Sequence, residues 1–206
     1  MKPYVLVAAS VAALAPIQAY AGPPGSSPKT IVFDMTVSAG ASTCLPNAHG
    51  TVVDATFGEF ENLEVVVHGL PPNTGFDLFS IEVPKTPFGL AWYIGDIETD
   101  SAGVGVGNFV GRFNRETFVI SPDVPTAKPP QVFNKPPAVV PEATIGIKTD
   151  PVQLYHLGLW FNSAADAATA GCPATPTPFN GEHNAGIQVL NTAKFPDTPG
   201  PLFNLQ

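Results

Sequence analysis

Three residues late in the chain carry the chemistry of a metal centre. His156, Glu182 and His183 supply two imidazoles and a carboxylate, enough donors for zinc or copper, and the same groups can pass protons near neutral pH. They stand in the densest polar and aromatic stretch of the sequence, Tyr155-His156-Leu-Gly-Leu-Trp160-Phe161-Asn162 followed by Phe179-Asn180-Gly181-Glu182-His183-Asn184-Ala185-Gly186. A divalent metal is the only cofactor this set suggests, and it requires the strand holding His156 to lie beside the returning loop. The plainer reading is a histidine in a strand and a polar turn, both serving backbone groups. Tyr155, Trp160 and Trp92 are the candidate binding aromatics, because an outward ring can stack on the apolar face of a sugar; inward, the same rings are core.

Other motifs speak for structure. Asp96, Glu98 and Asp100 alternate before Gly103, faintly as in a calcium loop, but the distal bidentate glutamate is missing and a solvated hairpin edge explains them equally well. The glycines of Gly103-Val-Gly-Val-Gly107 sit in a strand pattern, where they keep one sheet face flat for a packed aromatic or neighbouring segment. His49 and His68 have no evident partner. There is no Gly-x-Ser-x-Gly elbow, phosphate loop or His-Glu-x-x-His helix, so no catalytic residue is assigned.

Lys2, the apolar stretch from Tyr4 to Ile17 and the small residues Ala19 and Ala21 make residues 1–21 an expected cleavable export signal. A secreted or periplasmic product without a stable membrane anchor follows. In that oxidising setting the only two cysteines, Cys44 and Cys172, are expected to form a disulfide joining early and late chain. The formal charge of −8, with only 13% of residues charged, argues against nucleic acid as a partner, since phosphate binding draws on clustered Lys and Arg.

Positioning these residues falls to strands. Twenty-four prolines and nineteen glycines punctuate short runs of Val, Ile, Phe and Thr, an all-β composition. Thr30–Ser38 sets Ile31, Phe33, Met35 and Val37 against Val32, Asp34, Thr36 and Ser38, the alternation of a strand with one buried face. Further strands are expected at Thr51–Phe57, Leu63–His68, Phe76–Val83, Leu90–Glu98, Val104–Phe113, Glu116–Ser121, Leu154–Phe161 and Asn184–Asn191. Residues 122–151 read as a proline-rich connection, and Ser163–Gly171 as a short helix capped by Ser163 and ended by Gly171. Residues 22–206 therefore form one domain, expected as an antiparallel β-sandwich of immunoglobulin-like or jelly-roll-like type with one short helix in a late loop. A closed barrel is the alternative.

The order His156, Gly171-Cys172, Phe179-Asn180, His183 and Gly186 is similar to the metal loop of secreted copper-zinc superoxide dismutases, over about 30 residues. This chain has His156-Leu157-Gly158 where that family has His-x-His, and it lacks the later copper-ligand histidine, so the copper site is not rebuilt. More broadly, Gly69-Leu-Pro-Pro-Asn-Thr-Gly-Phe-Asp-Leu-Phe79, Leu159-Trp-Phe-Asn162 and Gly181-Glu-His-Asn-Ala-Gly186 resemble a group of uncharacterised secreted bacterial β-rich proteins. That resemblance implies an exported β-rich domain and supplies no activity, substrate or site. The expectation is a non-enzymatic binding protein for an extracellular ligand, glycan or protein. The alternatives are a metal-binding protein or metal-dependent enzyme using His156, Glu182 and His183, and a self-assembling envelope protein.

Overall fold

The computed structural model describes residues 28–115, 153–177 and 184–206. The expected export signal, the strand at 116–121, the proline-rich connection at 122–151, and Glu182 and His183 lie outside the described residues.

The described residues form eight strands. They are β1 (Thr30–Val37), β2 (His49–Phe57), β3 (Phe60–His68), β4 (Gly75–Ile81), β5 (Ala91–Glu98), β6 (Gly105–Gly111), β7 (His156–Phe161) and β8 (Gln188–Asn191). The β1 alternation is as expected: Phe33 and Met35 are buried and Val32 is exposed. Its inner face continues across Val52 and Asp54 of β2 to Leu63, Val65 and Val67 of β3. By contrast β7 and β8 are buried on both faces, and β4 nearly so, as expected of central strands covered on either side.

All eight strands belong to one antiparallel sheet, in the order β5-β4-β7-β8-β1-β2-β3-β6. The expected sandwich of two separate sheets is corrected here. Two four-stranded halves exist, but β1 and β8 join them through the pairs Thr36↔Asn191 and Val37↔Leu190. The two edges then return to one another, with an isolated bridge between Thr99 and Gly105, so the sheet nearly closes into a barrel. Alternation assigns each side chain a face; it says nothing about whether a two-pair seam forms.

One continuous core fills the interior, including Met35, Val65, Leu78, Leu159 and Leu190, and Leu202 of the 3-10 turn Pro201–Leu205 packs into it. A smaller cluster of Phe79, Ile81, Trp160 and Ala185 lies on the outer face of β4 and β7. A six-residue helix, α1 (Ala164–Thr169), follows β7. As expected, the Ser163 hydroxyl accepts from the Asp166 amide at 3.1 Å, and Gly171 beyond the helix takes a positive φ of 74°. Cys44, in the β1–β2 connection, is disulfide-bonded to Cys172 just past α1, with Cα atoms 5.3 Å apart across a sequence separation of 128.

Six expected strands are shorter than their sequence ranges: β1 stops at Val37, β4 at Ile81 and β6 at Gly111, while β5 starts at Ala91, β7 at His156 and β8 at Gln188, since Ala185 makes only a bridge to Thr177. β2 and β3 instead start earlier, at His49 and Phe60.

Candidate functional site

The nearly closed sheet leaves one seam, between β5 and β6. Beyond the Thr99–Gly105 bridge the two strands form no ladder, and side-chain packing replaces hydrogen bonds. The Phe109 ring occupies that space. A Cβ on Gly95 would stand 2.5 Å from its Cε1, and one on Gly107 2.5 Å from its Cε2, so glycine on both strands is what lets the ring lie in the seam. The expected flat glycine face packed by an aromatic is therefore present.

Farther along the seam opens into a cleft of about 300 Å³ lined by Trp92, Tyr93, Phe109, Arg112, Phe113 and Arg115, among others. Trp92 is 57% exposed and Tyr93 47%. Adjacent strand residues point to opposite faces, so unbroken alternation would turn one of this pair inward. Both are exposed because β5 is an edge strand and because it carries a bulge. Leu78 pairs with Gly95 while Phe79 pairs with Tyr93, which leaves Ile94 as the extra residue. The bulge resets the alternation, so Tyr93 shares the outer face with Phe79, against which its ring packs edge-on at 5.6 Å. Trp92 turns to the seam side opposite Ser80.

Both of the chain's only two arginines line this cleft. Glu61 of β3 holds their segment: its Oε2 accepts from the backbone amides of Phe113 at 2.5 Å and Asn114 at 3.0 Å. From the other side the Gln206 side-chain amide donates to the Asn114 carbonyl at 2.6 Å and to the Tyr155 hydroxyl at 2.8 Å. The Arg112 guanidinium lies 3.9 Å from Glu59, an ion pair between two exposed side chains that leaves its fork largely open. Burial raises the Glu61 carboxyl above its ordinary range, and the Phe113 and Asn114 amides and the two guanidiniums work against that rise.

On its outer side the cleft meets a carboxyl pair. The Tyr93 hydroxyl donates to Asp96 Oδ1 at 2.7 Å, and Asp96 stands directly opposite the buried Asp77 of β4. Burial first, then the Asp96 charge and its hydrogen bond, push the Asp77 carboxyl up to about 7, so below neutrality Asp77 keeps a proton that it can donate to Asp96. The Tyr93 hydroxyl is pushed up as well, by burial and by Asp96.

The other expected site residues are placed differently. His156 is fully buried and both ring nitrogens are engaged: Nε2–H donates to the Pro196 carbonyl at 3.1 Å, which leaves Nδ1 to accept from the Thr192 hydroxyl at 2.8 Å. Burial lowers its pKa, and a metal ion would have to displace one of these partners. Among the described residues no group of three or more His, Cys, Asp and Glu is arranged for a metal. Tyr155 and Trp160 are core residues, leaving Trp92 as the exposed member of the three candidate aromatics. Asp100 accepts from the amides of Ala102 at 2.8 Å and Val104 at 3.0 Å, which lowers its pKa and makes it a turn residue. His49 and His68 face each other across β2 and β3 with rings stacked at 5.2 Å.

Reading the sequence alone missed Arg112 and Arg115, whose signal was their rarity and their place beside Phe113. It also missed Asp54, fully buried on the inner face of β2 with no well-formed hydrogen bond to either carboxyl oxygen; burial and the nearby Glu61 push it up to about 7, against a weaker opposing pull from the Ala55 amide. No known protein family, characterised protein or solved structure matches this chain.

Proposed function

We propose that the protein is an exported, non-enzymatic binding protein whose recognition surface is the cleft at the β5–β6 seam. The observation that carries this reading is Trp92, more than half exposed, in a concave site whose lining also includes Phe109, Phe113 and both guanidiniums. An exposed tryptophan costs solubility on an ordinary surface and supplies a large rigid contact area in a binding site. Among the described residues the lining includes no histidine, and Ser80 directs its hydroxyl to the Trp92 carbonyl at 3.5 Å, so the cleft suits holding a ligand rather than breaking a bond. Export is supported by the signal-like residues 1–21 and by the Cys44–Cys172 disulfide, which persists in oxidising compartments.

The test uses the contrast between the two tryptophans. Trp160 is buried and Trp92 exposed, so acrylamide should quench mainly Trp92 emission, and a bound glycan or polypeptide should shield it saturably. Unchanged quenching across a panel of both polymer classes would overturn the reading.

A further inference from the structure

We infer that the seam cleft binds an acidic polysaccharide, a chain of pyranose rings bearing carboxylates, with a ring stacked on Trp92 and its carboxylate on Arg112 and Arg115. The inference rests on the reading of the cleft as the recognition surface and names its ligand class.

Charge is the first argument. The chain has a formal charge of −8 and only two arginines, yet both line this one cleft. At physiological salt, charges act over roughly 8 Å, so an anionic ligand reads the local pair rather than the acidic whole. Guanidinium is also the group suited to carboxylate, because its planar fork offers two parallel N–H donors, whereas lysine offers a point charge. Of the neighbouring acids, Asp96 on the outer side accepts from the Tyr93 hydroxyl, and Glu59 is too distant from Arg112 to satisfy that fork. Glu61 lies near Arg115 but is occupied by the Phe113 and Asn114 amides.

Shape is the second. Trp92, Tyr93, Phe109 and Phe113 give the cleft several aromatic walls, and an indole face matches the C–H face of a pyranose in size and polarity. A volume of about 300 Å³ is at the small end for a ligand site and suits one or two rings of a longer chain. The arginine segment is also built to stay in place. Two hydrogen bonds from its backbone to Glu61 and one from Gln206 to the Asn114 carbonyl hold it, so little ordering cost falls on binding.

The experiment is calorimetric titration at physiological salt with oligogalacturonate, a neutral malto-oligosaccharide of equal length, and poly-glutamate, with acrylamide shielding of Trp92 in parallel. Oligogalacturonate alone should bind and shield. Arg112→Gln with Arg115→Gln, and separately Trp92→Ala, should each weaken binding about tenfold or more, the size expected of charged hydrogen bonds and of a stacked ring. Arg112→Lys with Arg115→Lys should recover part of the loss, which distinguishes lost recognition from a fold defect, and thermal unfolding should be unchanged in all three. Equal binding of the neutral oligosaccharide would overturn the acidic-ligand inference while leaving the seam as a recognition surface. Equal binding of poly-glutamate would show that charge without a ring suffices and would overturn it too. Failure of all three probes to bind or shield would overturn the inference, and a wider panel with the same result would remove the recognition surface as well.

Discussion

Glu61 and Asn114, 53 residues apart in sequence, are joined by a 3.0 Å hydrogen bond from the Asn114 amide to the Glu61 carboxylate, and Phe113 adds a second to the same oxygen. A residue on β3 thus fixes the segment that carries both arginines. Glu61→Gln keeps the volume and one weak acceptor but loses the charge. It should reduce stability by about 1–2 kcal/mol and loosen the Arg112–Arg115 segment. Thermal unfolding measures the first effect, and amide exchange at Phe113 and Asn114 the second. Exchange as slow as in the parent would show that other contacts hold the segment.

The packing of Phe109 against Gly95 and Gly107 gives a steric prediction. Gly95→Val places branched carbons where the ring lies, so the ring must leave the seam or the strands must part. Overpacking of this kind costs about 1–3 kcal/mol. Pairing the change with Phe109→Ala should recover part of that loss, because the small residue vacates the same space. A double variant whose loss equals the sum of the two single losses would mean the two sites do not share a contact.

How much of this was legible before folding depends on the range of the interaction. The faces of β1 and β3, the Ser163 cap and the glycine strand that receives an aromatic follow from local alternation and turn chemistry, so residues 30–38, 63–68 and 163–171 read correctly. The cysteine pairing followed from the export-like N-terminal sequence and from the even cysteine count. What did not follow are contacts set by distant register. The two-pair join of β1 to β8 decides between separate sheets and a near barrel, and no residue in either strand announces it. The bulge at Ile94 exposes both Trp92 and Tyr93, whereas coverage from both sides buries Trp160 and Phe161 together. Asp54 breaks the rule that the polar residue faces water, and Arg112 and Arg115 acquire meaning only when Glu61 brings them to the cleft.

The cross-link between Cys44 and Cys172 closes a long loop, so its removal acts mainly through the unfolded chain. Cys44→Ala with Cys172→Ala should lower stability by roughly 3–5 kcal/mol, read as a fall in denaturant midpoint with the native fold retained at low temperature. A change under 1 kcal/mol would mean that the β1–β2 connection and α1 are held together by packing alone.

Buried carboxyls should make stability fall as pH rises. Asp54 and Asp77 both have folded-state values near 7 against an ordinary 3.8, so between about pH 4 and 7 the folded protein holds protons that the unfolded chain has released. Stability is then greatest near the acid end of that window, declines as pH climbs through 7, and levels off above it; each group contributes up to about 4 kcal/mol of the decline. His156 opposes this at the acid end. Its pKa is depressed by burial, so its contribution is lost as pH falls through that lowered value and the buried imidazole takes on a charge. Denaturant midpoints at pH 5, 6, 7 and 8 should therefore decrease. Asp77→Asn should flatten the slope by its own share, since an amide opposite Asp96 can donate at every pH. It should also leave Tyr93 bonded to Asp96, so binding at the cleft should persist at pH 8. A midpoint that rises from pH 5 to pH 8 would show that Asp54 and Asp77 are ionised in the folded protein, and the proton that Asp77 donates to Asp96 would have to be abandoned.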